Sequence, residues 1–245
     1  MGTSCGGQTG FVHSVEAGGM VDGPGIRYVV FFAGCPLRCR YCHNPDTWKF
    51  GSGDPYSVDD ILADIRKYRS YINFSGGGVT ATGGEPLMQP EFLTTLLATC
   101  QANGIHTTLD TSGYAPRETS SRVLPHTNLL LLDIKSINRD TYREVTGVSI
   151  DRTLDMLRLS RDMGVPVWIR FVLVPGLTDD IGDIRRMADY LRTFDNIEKI
   201  EVLPFHKLGE YKWETMGTPY TLANTQPPDR DLLKRVKGIL EFRPG

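Results

Sequence analysis

Six runs of β-branched and aromatic residues, each followed by a stretch with helical spacing, constrain this 245-residue chain more than any other feature. The runs are RYVVFF (27–32), GVTATG (78–83), HTTLDT (106–111), NLLLLDIK (128–135), VWIRFVLV (167–174) and IEKIEVL (197–203). The first, RYVVFF, is a continuous apolar run, as a strand covered on both faces requires. Between the first two, Val58, Ile61, Leu62, Ile65 and Tyr68 mark a helix with Ser57 as its cap. Residues 90–103, 151–163 and 180–192 continue the pattern, with a weaker helix after the third run. Leu232, Leu233, Val236, Ile239 and Leu240 mark a closing helix. Regular alternation of this sort predicts a parallel sheet with right-handed crossovers.

An open doubly wound sheet and a barrel both satisfy that alternation. Where the chemically capable residues fall decides between them. Cys35, Cys39 and Cys42 follow the first strand, and Gly83, Gly84 and Glu85 the second. Asp110 ends the third, Asp133 and Lys135 the fourth, and His206 follows the sixth, while Arg170 lies inside the fifth. Functional side chains at the carboxyl ends of nearly every strand are the signature of a barrel's top face, whereas a doubly wound sheet gathers them at one switch point. Six strands fall short of the eight of a full barrel. The expectation is therefore an α/β fold, a partial (β/α)6 TIM-type barrel with an open lateral face. No repeat or linker divides the chain, so 11–245 reads as one domain behind a flexible Gly-rich tail, MGTSCGGQTG (1–10).

A net charge of −2 offers no electrostatic case for nucleic acid or an anionic membrane as partner. No apolar run nears the roughly 20 residues of a membrane span. The start lacks the basic-then-apolar order of a secretory signal, which points to the cytoplasm.

Five cysteines in such a setting do not read as a disulfide framework. Cys5 lies in the tail as an idle thiol. Cys100 follows Leu93, Leu96 and Leu97 at helical spacing, as a small buried hydrophobe does. The other three stand together in GCPLRCRYCHN (34–44). Soft thiolates favour iron–sulfur clusters or zinc. Spacing C-x3-C-x2-C on a loop just past a strand lets three sulfurs grip one cube and leaves one iron without a protein ligand. Zinc needs a fourth ligand, for which His43 is the local candidate, but neighbouring residues seldom reach one ion together.

GCPLRCRYCHN resembles the signature of the radical S-adenosylmethionine superfamily, whose Cx3Cx2C loop carries a [4Fe-4S] cluster. The preceding DGPGIRYVVFFAGC (22–35) narrows the resemblance to the glycyl-radical activating enzymes. It extends through SGGGVTATGGEP, LLLLDIK, VWIRFVLVPG and LPFHKLGEYKW, and so covers most of the chain. Such enzymes cleave S-adenosylmethionine reductively and take a hydrogen atom from a glycine Cα of a partner protein.

The resemblance implies roles residue by residue. Cys35, Cys39 and Cys42 would hold the cluster, whose open iron is chelated by the cofactor. The Gly83–Gly84–Glu85 stretch would bind the methionine amino group, two glycines letting backbone come close. Asp110 and Asp133, with backbone near Thr111 and Leu131, would hold a monovalent cation, Na+ or K+. Lys135 and His206 would meet the ribose and adenosyl portion, Tyr41 the adenine, and Arg170 the cofactor carboxylate or the peptide. Asp22 would contact the partner's glycine loop, with His43 and Asn44 flanking the cluster against cofactor or peptide.

Relatives that carry a second, ferredoxin-type cluster need more cysteines than Cys5 and Cys100 supply. The implied partner is therefore pyruvate formate-lyase or, in shorter relatives, anaerobic ribonucleotide reductase, and length favours the former. Flavodoxin or ferredoxin would supply the electron. The rival expectations are a radical enzyme acting on a small molecule and a zinc-stabilised barrel without turnover.

Overall fold

In the computed structural model, which describes residues 8–241, eight strands join in one sheet. They are β1 (Thr9–Gly19), β2 (Arg27–Phe32), β3 (Asp54–Ser57), β4 (Gly78–Gly83), β5 (His106–Thr111), β6 (Leu129–Asp133), β7 (Val167–Leu173) and β8 (Ile197–Pro204). The order across the sheet is β3-β1-β2-β4-β5-β6-β7-β8. From β2 to β8 every pairing is parallel. The expected six parallel strands are thus present, adjacent in chain order, and the two edges do not meet. This is a barrel wall left open along one side.

Helices α1 (Val58–Ser75), α2 (Pro90–Ala102), α3 (Arg117–Val123), α4 (Arg139–Thr146), α5 (Asp151–Asp162), α6 (Ile181–Leu191), α7 (Glu210–Thr215) and α8 (Arg230–Leu240) complete the fold. The Ser57 hydroxyl accepts from Asp60 N while the Asp60 carboxylate accepts from Ser57 N, a closed capping box at the start of α1. Gly76 in the left-handed region ends that helix. Strand β7 shows how the layers divide. Val167, Ile169, Phe171 and Leu173 are buried towards the helices, and Trp168, Arg170 and Val172 face the barrel interior. The core runs between sheet and helices, where Val30, Val79, Leu130 and Ile169 pack with Ile61, Leu96, Leu157 and Ile184. Each such side chain contributes about 1.5–3 kcal/mol by leaving water. Cys100 sits fully buried in that core among Leu93, Leu96 and Leu97, as expected.

Some readings need correction. Residues 1–7, with Cys5, lie outside the described residues, but the expected tail ends earlier than residue 10. Thr9 and Gly10 already pair with Ser57 and Tyr56. The antiparallel strands β1 and β3 had no clear signal. Irregularities between Val12 and Ser14 and between Ala17 and Gly19 break the alternation of β1, and β3 carries Pro55 on the sheet edge. Helices α4 and α7 are too short for a strong periodic pattern.

Candidate active site

The carboxyl ends of the parallel strands surround a cavity of about 520 Å³. Its wall includes Cys35, Cys39 and Cys42, the three residues with the tightest spacing in the sequence. Their loop is pinned from several sides. Arg38 N and Arg40 N donate to Thr146 O and Val145 O at the end of α4, at 2.8 and 2.9 Å. The indole of Trp213 on α7 donates to Cys42 O at 2.9 Å and packs edge-on against Trp48 at 4.9 Å. Lys212 donates to Asn44 Oδ1 and pairs with Asp46 at 3.0 Å. Sulfurs on such a loop are held in place before any ligand arrives.

All four described cysteines are free thiols. Burial pushes the Cys35, Cys39 and Cys42 thiols up, Cys39 to about 12. A directly ligated cation reverses that preference and draws off the protons. Among the described residues, no three His, Cys, Asp or Glu side chains converge on a point the size of one ion. His43 is also engaged elsewhere: its ring lies 4.3 Å from that of His206, and Nε2 is 3.2 Å from His206 O. The donor set fits a larger group gripped at three corners better than a lone zinc.

Facing the cysteines is the turn after β4. Gly83 has φ of +105°, and a Cβ there would come within 2.5 Å of Phe32 N. A Cβ on Gly84 would collide with Gly34 O of the cysteine loop. Only bare backbone lets the two turns close on each other. Glu85 departs from its expected role. Its side chain is 1% exposed and turns away from the cavity to accept from Thr111 Oγ1, from Ser112 N and Oγ, and from Leu87 N. Burial pushes its carboxyl up and these donors pull it back. Glu85 is a staple between the β4 and β5 turns, and of the three residues Gly83 and Gly84 line the cavity.

The floor and far wall are charged. Arg170 Nη1 donates to Asp110 Oδ2 at 2.9 Å, and Thr82 Oγ1 donates to the same oxygen at 2.7 Å. Burial raises the Asp110 carboxyl and Asp133 adds to this, while Arg170 opposes both. Asp110 in turn raises the Arg170 guanidinium, against burial. Lys135 Nζ donates to Asp133 Oδ2 at 2.5 Å and lies 5.7 Å from the Tyr41 ring centre. Burial works against that ammonium, yet Asp133, Tyr41 and Cys39 outweigh it and hold its pKa well above the ordinary lysine value. Among the described residues, two buried donors in this region have no hydrogen-bond partner, Arg170 Nε and Tyr41 Oη. An unpartnered guanidinium N–H on the wall fits a carboxylate ligand.

Of the other anticipated residues, Thr111 and His206 line the cavity, whereas Leu131 is fully buried and does not. Asp22 does not line it, although its chain neighbour Val21 does. The sequence reading overlooked Thr82, Ser112, Lys212 and Trp213. Thr82 directly precedes the glycine pair, and Trp213 ends the LPFHKLGEYKW segment of the resemblance, but nothing in that segment ties it to Cys42, 171 residues away.

Comparison with known proteins agrees with this geometry. The Radical SAM superfamily model matches residues 29–191. The chain is 45% identical over 234 residues to the pyruvate formate-lyase 1-activating enzyme of Escherichia coli (strain K12), covering 95% of each. It is also 45% identical over 240 residues to the pyruvate formate-lyase-activating enzyme of Staphylococcus epidermidis, covering 95% of this chain and 96% of that one. A crystal structure of a domain of pyruvate-formate lyase-activating enzyme from Bacteroides vulgatus superposes with a TM-score of 0.57 at 31% identity, over 67% of this chain and 93% of that one. A radical SAM methyltransferase from Sphaerobacter thermophilus shares the fold at 16% identity, with a TM-score of 0.65 over 88% of this chain and 63% of that one.

Proposed function

Because this chain belongs to the radical S-adenosylmethionine superfamily, within its pyruvate formate-lyase-activating family, we propose that it installs a glycyl radical on pyruvate formate-lyase. The superfamily's cofactors are a [4Fe-4S] cluster and S-adenosylmethionine. One observation carries the reading: three thiols share a single cavity with a bare glycine turn and a buried Lys–Asp and Arg–Asp pair. When bound, the two groups supply one electron to a sulfonium and a carbon radical able to take a hydrogen atom from a glycine Cα.

The chain's own residues do the rest. Cys35, Cys39 and Cys42 hold the cluster from three sides. Gly83 and Gly84 offer backbone carbonyls to the methionine ammonium. Arg170 keeps Nη1 on Asp110 and turns its free Nε towards the methionine carboxylate or the peptide. Lys135, steadied by Asp133, and His206 hold the ribose and adenosyl portion, with Tyr41 beside the adenine. Holding the cofactor beside its target converts a bimolecular encounter into a local step. Asp22 accepts N–H groups of the incoming glycine loop. Among the described residues its carboxylate has no hydrogen-bond partner, and only its backbone O is engaged, by Thr80 Oγ1 at 2.7 Å. His43 and Asn44 guide the same loop past the cluster.

A monovalent cation, Na+ or K+, belongs to this reading between Asp110, Asp133 and the backbone near Thr111 and Leu131. It would act beside Arg170 and Lys135, which already pair with the two carboxylates. The electron comes from flavodoxin or ferredoxin, approaching where Phe50, Leu208 and Tyr211 stand exposed beside the cysteine loop. The setting is cytoplasmic and free of oxygen. No helix among the described residues is long and apolar enough to cross a membrane.

Anaerobic incubation with a reductant, S-adenosylmethionine and pyruvate formate-lyase tests the proposal. EPR should show a carbon-centred glycyl doublet on the partner; cofactor cleavage without that doublet overturns the assignment of substrate.

A further inference from the structure

At the opposite end of the barrel from the cysteines lies a guanidinium that the chemistry above does not use. Arg27 opens β2 and is 0% exposed. Nε donates to Thr80 Oγ1 at 2.9 Å, and Nη2 to Thr108 Oγ1 at 2.7 Å and to Val79 O at 2.5 Å. Nη1 donates to Pro24 O and to His106 Nδ1, both at 3.3 Å, and Nη2 also reaches His106 O at 3.4 Å. Every acceptor is neutral. A buried arginine is ordinarily neutralised by a carboxylate in contact, because leaving its charge unpaired in a low-dielectric interior is costly. Its charge complement here stands off, in Asp22, which opposes the downward effect of burial on the guanidinium.

Two of these bonds tether the turn that carries Asp22. One runs directly from Nη1 to Pro24 O. The other passes through Thr80, whose hydroxyl accepts from Nε and donates to Asp22 O at 2.7 Å. Gly23 seals the arrangement. It has φ of +127°, and a Cβ there would lie 3.3 Å from Thr108 Oγ1 and 3.4 Å from Arg27 Nε, so the turn rests on the guanidinium itself. A side chain needed only to fill this space would do so without a charge. A rigid fork of five donors is suited to fixing a backbone in one place.

We propose that Arg27 is a positioning residue for hydrogen abstraction: through Pro24 O and the Thr80 hydroxyl it fixes residues 22–24, and thereby sets where the Asp22 carboxylate meets the glycine loop. The inference rests on the reading of Asp22 as the peptide contact. It predicts an effect on the productive use of the cofactor rather than on its binding.

The test compares Arg27→Met and Thr80→Val in the full chain, the second removing only the relay and sparing the guanidinium should the first not fold. Amide hydrogen exchange across residues 20–26 should rise about tenfold in the folded variant. Glycyl radicals formed per S-adenosylmethionine cleaved should fall about tenfold, with KM for pyruvate formate-lyase rising. Asp22→Asn should give the same uncoupling and add little to either variant. Unchanged exchange in both variants overturns the positioning role. Faster exchange with coupling intact also overturns it, and Asp22→Asn then locates the failure. If that variant loses coupling, only Arg27 falls; if it stays coupled, the reading of Asp22 falls as well.

Discussion

Arg170 on β7 and Asp110 on β5 form an ion pair of 2.9 Å across the barrel interior, with β6 between their strands. The pair links two strands that share no hydrogen bonds and so braces the sheet across β6. Both groups are largely shielded, at 14% and 12% side-chain exposure, so removing one leaves a buried charge behind. Asp110→Ala should destabilise the fold by about 3 kcal/mol, read from the denaturant midpoint at constant m-value. Arg170→Lys keeps the charge and loses the fork, and should raise the KM for S-adenosylmethionine roughly tenfold, about 1.4 kcal/mol, while the fold survives.

The three loop cysteines and Cys100 should separate cleanly. Replacing Cys35, Cys39 or Cys42 by Ala should abolish iron and sulfide retention, visible charge-transfer absorption and cofactor cleavage together. Cys100→Ala should keep the bound iron and lose roughly 1–2 kcal/mol of stability, because it only opens a small space among leucines. Any single loop variant that keeps full activity removes its cysteine from the cluster assignment.

Asp22 carries a pH signature with a definite sign. Burial first, and Asp110 next, push its carboxyl from 3.8 to about 6, with Arg170 pulling the other way. Glu16 and Arg27 act on it more weakly, upwards and downwards. The folded chain thus holds this proton more tightly than the unfolded chain does. The cost of its charge is present in full above about 6 and is relieved as pH falls towards 3.8. Asp22→Asn should therefore melt higher than the wild type near neutral pH, and the gap should close on acidification through that window. The same variant should yield fewer glycyl radicals per cofactor cleaved, stability and coupling moving in opposite directions.

Glu85 makes a fourth forecast. Glu85→Gln keeps the shape but sets an amide N–H2 against donors from Thr111, Ser112 and Leu87, so at least one buried donor goes unpaired. A loss of about 2 kcal/mol in thermal or chemical denaturation is expected. Weaker cofactor binding should accompany it, because the β4 and β5 turns are no longer stapled. If binding collapses while stability is untouched, Glu85 contacts the cofactor after all.

What could be read from the chain alone follows from periodicity and local spacing. The parallel strands were legible because short strand-like runs alternate with helical stripes, and the site was legible because its polar residues gather at the carboxyl ends of those runs. Strand β1 was not, since Glu16, Ala17 and Gly18 are exposed and its irregular pairing erases the two-residue period. The position of Glu85 in the chain was legible, and the direction of its side chain was not. A motif gives the order of residues, but the direction of a side chain depends on which donors lie nearby, and Ser112 lies 27 positions away. The bonds of Trp213 and Lys212 to the cysteine loop form only in the folded molecule, so the resemblance of the two segments does not reveal that they meet.

The anchoring of Cys42 by Trp213 bears on how the protein is made. The two residues are 171 positions apart, so a ribosome has delivered all of the intervening chain before that brace can form. Iron loading should accordingly await emergence of the segment that carries Trp213. We expect nascent chains stalled ahead of residue 213 to retain little iron, and chains stalled beyond α8 to retain it.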